Sequence, residues 1–150
     1  MAAHRKRGVP LLIVAGLIAA VVWITEAKST QALTAHHAVP VQALVTKPLP
    51  GTAGDGARLA HIDGCFGCHG PRLTGHAVLT GWLGSRLVAP NLTRLVHQET
   101  DAQLAAAIRY GVKHDGTSVI GMPSRQLIKS SDSDIASIIA YLRTLQQKPD

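Results

Sequence analysis

The sequence predicts an all-α fold of three to five helices, preceded by an N-terminal helix long enough to cross a membrane. Three observations carry this. Residues 8–25 form an uncharged run rich in Leu, Ile, Val and Ala. Near the other end, Ile135, Ile138, Ile139 and Leu142 fall at i, i+3, i+4 and i+7, the spacing of one helix face. Two capping boxes, Thr100-x-x-Gln103 and Ser131-x-x-Asp134, announce helix starts. No segment shows a convincing strand pattern, and no internal repeat is present.

Taken in order, residues 1–27 form the apolar N-terminal segment. His4-Arg5-Lys6-Arg7 precedes the run from Gly8 to Thr25. Eighteen helical residues span roughly 27 Å, close to the roughly 30 Å of bilayer hydrocarbon. A cleavable signal has a shorter apolar core and a small-residue site, and Thr25-Glu26-Ala27 is a poor site because it contains a charge. An uncleaved single-pass anchor is therefore preferred over a removed signal. The positive-inside rule keeps Arg5, Lys6 and Arg7 cytoplasmic, which sends everything after Lys28 to the other side, the periplasm of a bacterial inner membrane. Residues 28–54, with Pro40, Pro48 and Pro50 and two charges, read as a flexible linker, with a segment packed on the domain or on a partner subunit as the other reading.

The third region, residues 55–150, is the globular domain. A first helix is expected from Gly56 to Gly64, burying Leu59 and Ile62. Residues 70–98, punctuated by Gly70, Gly75, Gly81, Gly84, Pro71 and Pro90, are expected to be irregular. A second helix, capped by Thr100, turns Leu104, Ala107 and Ile108 inward and ends before Gly111. His114-Asp115-Gly116 makes a turn, and the Ser131-capped helix closes the domain.

The chemistry is concentrated at Cys65-Phe66-Gly67-Cys68-His69, which contains both cysteines of the chain. The run C-x-x-C-H is the attachment sequence of a c-type haem. Two thiols one helical turn apart can add to two vinyl groups, and the adjacent histidine is placed as proximal iron ligand. A thioredoxin-like redox pair would want a βαβ context, zinc would want four ligands at defined spacing, and a disulfide would leave His69 unexplained.

An electron-transfer haem needs a sixth ligand, and a thioether suits it. Apart from Met1 the chain has one methionine, Met122, in Gly121-Met122-Pro123-Ser124. His61, His76, His97 and His114 are the rivals for a bis-histidine site, and none lies in a comparable Gly/Pro loop. The second ring nitrogen of a metal-bound histidine donates to a carbonyl or carboxylate. Pro90, in Ala89-Pro90-Asn91-Leu92-Thr93, is the candidate acceptor, although a Pro-Asn pair alone is also a turn signal. Trp82 is a candidate to line the haem or bond a propionate, with plain packing as the other reading.

As a set, CFGCHG at 65–70, APNLT at 89–93, GMPS at 121–124 and DIASIIAYLRTL at 134–145 resemble the class I, single-haem cytochrome c domain. They are similar in particular to the cytochrome c domains found with membrane-bound periplasmic alcohol and aldehyde dehydrogenases. The resemblance implies one covalent haem c, His69 and Met122 as axial ligands, a bond from His69 to the Pro90 carbonyl, and contact between the first and last helices of the domain. It departs at one point: dehydrogenase cytochrome subunits often carry three attachment motifs, and this chain has one.

Beyond the anchor the chain carries 12 basic and 8 acidic residues, within an overall net charge of +6. Arg72, Arg86, Arg94, Lys113, Arg125 and Lys129 cluster near the haem-lining segments. A periplasmic location excludes nucleic acid as their partner and favours an acidic redox protein, while a plain solvated face is the alternative. The expected function is single-electron transfer between a periplasmic donor, a dehydrogenase among the candidates, and a respiratory acceptor such as a terminal oxidase. No catalytic constellation is visible, so no enzyme activity is expected of the chain itself. The alternatives are a haem subunit fixed in a dehydrogenase or oxidase complex, and a haem enzyme or gas sensor with an open sixth site.

Overall fold

The computed structural model describes residues 5–39, 53–81 and 84–149. Contacts divide the chain into two units, residues 1–35 and 36–150. The first is a single helix, α1 (Arg5–Thr34). Its stretch from Pro10 to Thr34 has a mean hydropathy of 2.1 and is long and apolar enough to cross a membrane, a test that signal sequences also pass. The helix runs seven residues past the expected boundary at residue 27. No proline follows Pro10 until position 40, and Thr34 Oγ1 donates back to the Thr30 carbonyl, so nothing breaks the helix there.

The second unit begins with packed chain rather than a loose linker. The His37 N–H donates to the Gly116 carbonyl at 2.7 Å, and the side chain of Val39 rests on the core. Residues 36–39 therefore depart from the expected linker. Pro40, Pro48 and Pro50, as well as Trp82, lie outside the described residues.

Among the described residues, the helices that follow are α2 (Ala53–Ile62), α3 (Cys65–His69), α4 (Leu92–Leu95), α5 (Asp101–Tyr110), α6 (Ser124–Leu127) and α7 (Asp132–Arg143). The expected all-α fold needs one correction. Residues 70–98 contain an antiparallel hairpin of β1 (His76–Thr80) and β2 (Arg86–Ala89), with a bulge between Ala77 and Leu79. Both strands are short and only partly buried, and β1 is flanked by Gly75 and Gly81, which is why no period-2 pattern announces them. The domain is mostly helical, with this hairpin on its margin.

Both capping boxes form. Thr100 Oγ1 accepts from the Gln103 N–H while the Gln103 side chain accepts from the Thr100 N–H, and Ser131 and Asp134 do the same at the start of α7. Gly111 ends α5 in the left-handed conformation with φ 66°. The predicted inward stripe of α7 is the centre of the core: Ile135, Ile138, Ile139 and Leu142 are buried with Leu73, Leu92, Val96, Leu104, Ile108 and Leu127. Ile62, expected inside, is 68% exposed, because α2 turns Gly56 and Ala60 inward instead.

The α2–α7 crossing explains that choice. A Cβ on Gly56 would lie 1.8 Å from the Ser137 carbonyl oxygen and 2.8 Å from the Tyr141 Cβ, so the two helices meet backbone to backbone. Only small residues permit such an approach. Gly56→Val should therefore lower the stability of the haem-loaded protein by about 1–3 kcal/mol, as overpacking of tight contacts does. For a domain of this size that is roughly 4–8 °C in Tm per kcal/mol. Thermal unfolding followed by circular dichroism measures it, and an unchanged midpoint would rule out the crossing as a stability determinant.

Candidate functional site

Each predicted site residue comes from a different local device. α2 delivers the chain to Gly64, which takes φ 77° and starts the short α3 carrying Cys65, Phe66, Gly67, Cys68 and His69. Both cysteines are free and half-buried. Burial pushes the Cys65 thiol up to about 11, and the nearby Asp63 carboxylate adds to the shift. A reactive exchange thiol needs the opposite environment, one that lowers its pKa. Cys65 is thus poorly suited to thioredoxin-like chemistry.

His69 is 8% exposed, and its Nδ1 donates to the Pro90 carbonyl oxygen at 2.8 Å. A carbonyl can only accept, so Nδ1 carries the proton and Nε2 of the neutral ring has its lone pair available. Burial lowers the His69 pKa, the Pro90 bond works against that shift, and nearby His76 adds to the lowering. The ring is held as neutral imidazole, in one tautomer and one orientation. This is the form that ligates a metal, with the outer hydrogen bond such a ligand uses.

The Pro90 carbonyl is itself held in place. Leu73 has φ 56°, rare for a residue of its size, and is 1% exposed. In that conformation its N–H donates to the Gly70 carbonyl and its own carbonyl accepts from the Leu92 N–H at 2.9 Å. Gly75, with φ 78°, lies directly against the Pro90 segment: a Cβ there would stand 2.5 Å from the Ala89 carbonyl oxygen and 2.8 Å from the Asn91 nitrogen. Sequence reasoning treated Gly75 as mere punctuation. Its signal is visible only once β2 folds back over it.

Met122 is half-buried and packs against the same apolar core as Leu59, Cys65, Phe66 and Leu95. Its turn is braced from two sides. A Cβ on Gly121, which has φ 79°, would meet the Leu87 side chain of β2 at 2.6 Å. Ser124 donates its N–H to the Met122 carbonyl and its hydroxyl to the Ala107 carbonyl of α5. Of the rival histidines, His97 Nε2 donates to the Leu145 carbonyl, His114 Nδ1 contacts Glu99 Oε1 at 2.7 Å, and His61 stacks on Phe66 with ring centroids 3.9 Å apart. His76 is exposed on β1. Among the described residues no group of three or more His, Cys, Asp or Glu side chains could hold a metal ion.

The donor set therefore fits a haem: two free half-buried thiols three positions apart, one neutral imidazole with its outer nitrogen occupied, and a thioether beside the same apolar cluster. Gly75→Ala should disturb this arrangement through both the positive φ and the contact with Pro90. The expected cost is about 1–3 kcal/mol, read as a lower guanidinium midpoint of the haem-loaded protein. A midpoint within error of wild type would show that the 89–91 segment yields freely.

Comparison with known proteins agrees with the geometry. The chain is 29% identical over 118 residues to the fructose dehydrogenase cytochrome subunit of Gluconobacter japonicus, which covers 69% of this chain and 24% of that protein. The chain thus spans about a quarter of the length of this curated relative. No solved structure matches it. Residues 53–146 match the cytochrome c family, a span that contains the attachment run, the His69–Pro90 bond and the α2–α7 crossing. The chain belongs to the cytochrome c family, whose domain implies covalent haem c, has Cys65 and Cys68 in a C-x-x-C-H run, and is related to dehydrogenase-associated cytochromes.

Proposed function

We propose that the protein is a membrane-anchored, single-haem electron carrier whose iron is held by His69 and Met122. The carrying observation is the buried, neutral His69 with Nδ1 bonded to the Pro90 carbonyl, since this leaves Nε2 as the coordinating atom. When bound, the haem supplies a one-electron couple. The chain supplies everything else. Cys65 and Cys68 would fix the group covalently, and His69 and Met122 would ligate its iron, leaving no position for a substrate. A thioether ligand favours the reduced state and raises the potential. Burial, at 8% exposure, keeps water from most of the His69 side chain.

The N-terminal helix remains as the anchor in this reading, with the haem domain in a bacterial periplasm. The relative from Gluconobacter is a dehydrogenase subunit, which favours a dehydrogenase as donor; the acceptor in this reading is a respiratory oxidase. The exposed basic residues Arg72, Arg86, Arg94, Lys113, Arg125 and Lys129 favour an acidic partner face. The protein catalyses nothing alone.

Two measurements test the proposal. Met122→Ala should keep haem attached through acid–acetone extraction, lower the reduction potential, and let the ferrous protein bind carbon monoxide that the wild type resists. His114 is engaged by Glu99 in the native fold, and the double variant Met122→Ala/His114→Ala excludes its capture of the iron. An unchanged potential and ferric spectrum would eliminate Met122 as ligand. For the anchor, intact mass of the membrane fraction should include residues 1–27, and a soluble species starting near Lys28 would overturn that part.

A further inference from the structure

The segment after α7 does not trail away. It returns across the loop that carries Pro90 and closes a ring of three hydrogen bonds there. The Lys148 N–H donates to Thr93 Oγ1 at 3.0 Å, the Thr93 hydroxyl donates to Asn91 Oδ1 at 2.7 Å, and Asn91 Nδ2 donates to the Lys148 carbonyl at 3.0 Å. Thr93 is 1% exposed, so its hydroxyl takes part without competition from water. A second clasp lies three residues earlier, where His97 Nε2 donates to the Leu145 carbonyl at 3.0 Å. Asn91 follows Pro90 directly, and the Pro90 carbonyl carbon is bonded to the Asn91 nitrogen. Whatever fixes Asn91 also fixes the direction of the oxygen that accepts from His69.

We infer that Asn91, Thr93 and the Lys148 backbone act as positioning residues that tune the haem through the His69–Pro90 hydrogen bond. The inference rests on the proposed ligation by His69. The physical link is the basicity of the ligand: a short, well-aligned Nδ1–H···O bond gives the imidazole more anionic character. Greater anionic character favours ferric iron. The latch thus keeps the potential lower than a loosely held Pro90 carbonyl would allow, opposing the upward pull that the Met122 thioether would exert as a ligand. Each bond of the ring orients the next, so losing one member loosens all three. The Lys148 side chain has no place in the ring. Only its peptide N–H and carbonyl are used.

The test uses the full-length, haem-loaded protein. Thr93→Val keeps the shape of the buried side chain and removes both hydroxyl bonds. Lys148→Pro removes the N–H donor, and Lys148→Ala serves as the control that keeps the backbone. Three quantities are read: the midpoint potential, the solvent exchange of the hyperfine-shifted His69 Nδ1 proton in the ferric state, and the guanidinium midpoint. Thr93→Val and Lys148→Pro should raise the potential and speed exchange of the Nδ1 proton several-fold, while Lys148→Ala leaves both at wild-type values. A fall in the guanidinium midpoint with potential and exchange unchanged would reduce the latch to a structural staple and overturn the inference. A shift in Lys148→Ala equal to that in Lys148→Pro would overturn it too, because it would place the effect in the charge. Failure of the underlying ligation looks different: the wild type would then show no hyperfine-shifted proton from His69 at all.

Discussion

The hydrogen bond from His69 Nδ1 to the Pro90 carbonyl is the constraint on which the site depends. One bond settles three properties of the histidine at once: its tautomer, its ring orientation and its basicity. Proline suits the accepting position because its ring holds φ and it has no N–H to engage elsewhere. The bond joins residues 21 positions apart, so the intervening chain must fold back on itself. Gly75, the left-handed Leu73 and the hairpin of β1 and β2 together accomplish that return. The strain at Leu73 is held by a fully buried side chain and two backbone hydrogen bonds, the setting in which such strain persists.

The helical frame serves the same end. α2 and α7 touch through Gly56 and the Ser137 carbonyl, closer than any side chain between them would allow. Because α2 leads into the attachment turn with only Asp63 and Gly64 between, the crossing fixes where Cys65 and Cys68 stand relative to the core. Ser124 ties the Met122 turn to the Ala107 carbonyl of α5. Arg109, 7% exposed, links the end of α5 to Ser130 and Asp132 at the start of α7. The two axial candidates are thus carried on separate elements that meet the same core.

Size gives these contacts their weight. The family span of residues 53–146 is short for a self-sufficient core, and the whole chain has five aromatic residues, one of which, Trp23, lies in the N-terminal helix. Among the described residues, small and medium side chains from Ala60 to Leu142 form the apolar interior. A covalent haem adds a large rigid apolar surface to such a domain, which ties folding to cofactor attachment. The Cys65 thiol fits this role: an apolar, protonated neighbour of the core rather than an exposed nucleophile.

The attachment run, the lone internal methionine, both capping boxes and the inward face of α7 were legible from the sequence. Each is a local signal, set by spacing along one turn or one helix, and the structure forms the capping boxes and the buried stripe where they were read. Pro90 was legible only as a candidate, because a Pro-Asn pair looks the same whether its carbonyl meets a histidine or water. The hairpin escaped notice, since its strands are short, only partly buried, and lack a polar–apolar alternation in sequence. Ile62 was misplaced because helical period alone does not choose between two faces of α2, and the close approach at Gly56 made the choice. The extension of α1 to Thr34 and the docking of residues 36–39 were hidden by a composition without marked periodicity. The roles of Gly75 and of the ring through Asn91, Thr93 and Lys148 belong wholly to the tertiary structure. They depend on contacts between residues up to 57 positions apart, and no local pattern encodes which carbonyl a folded chain will bring to a given donor.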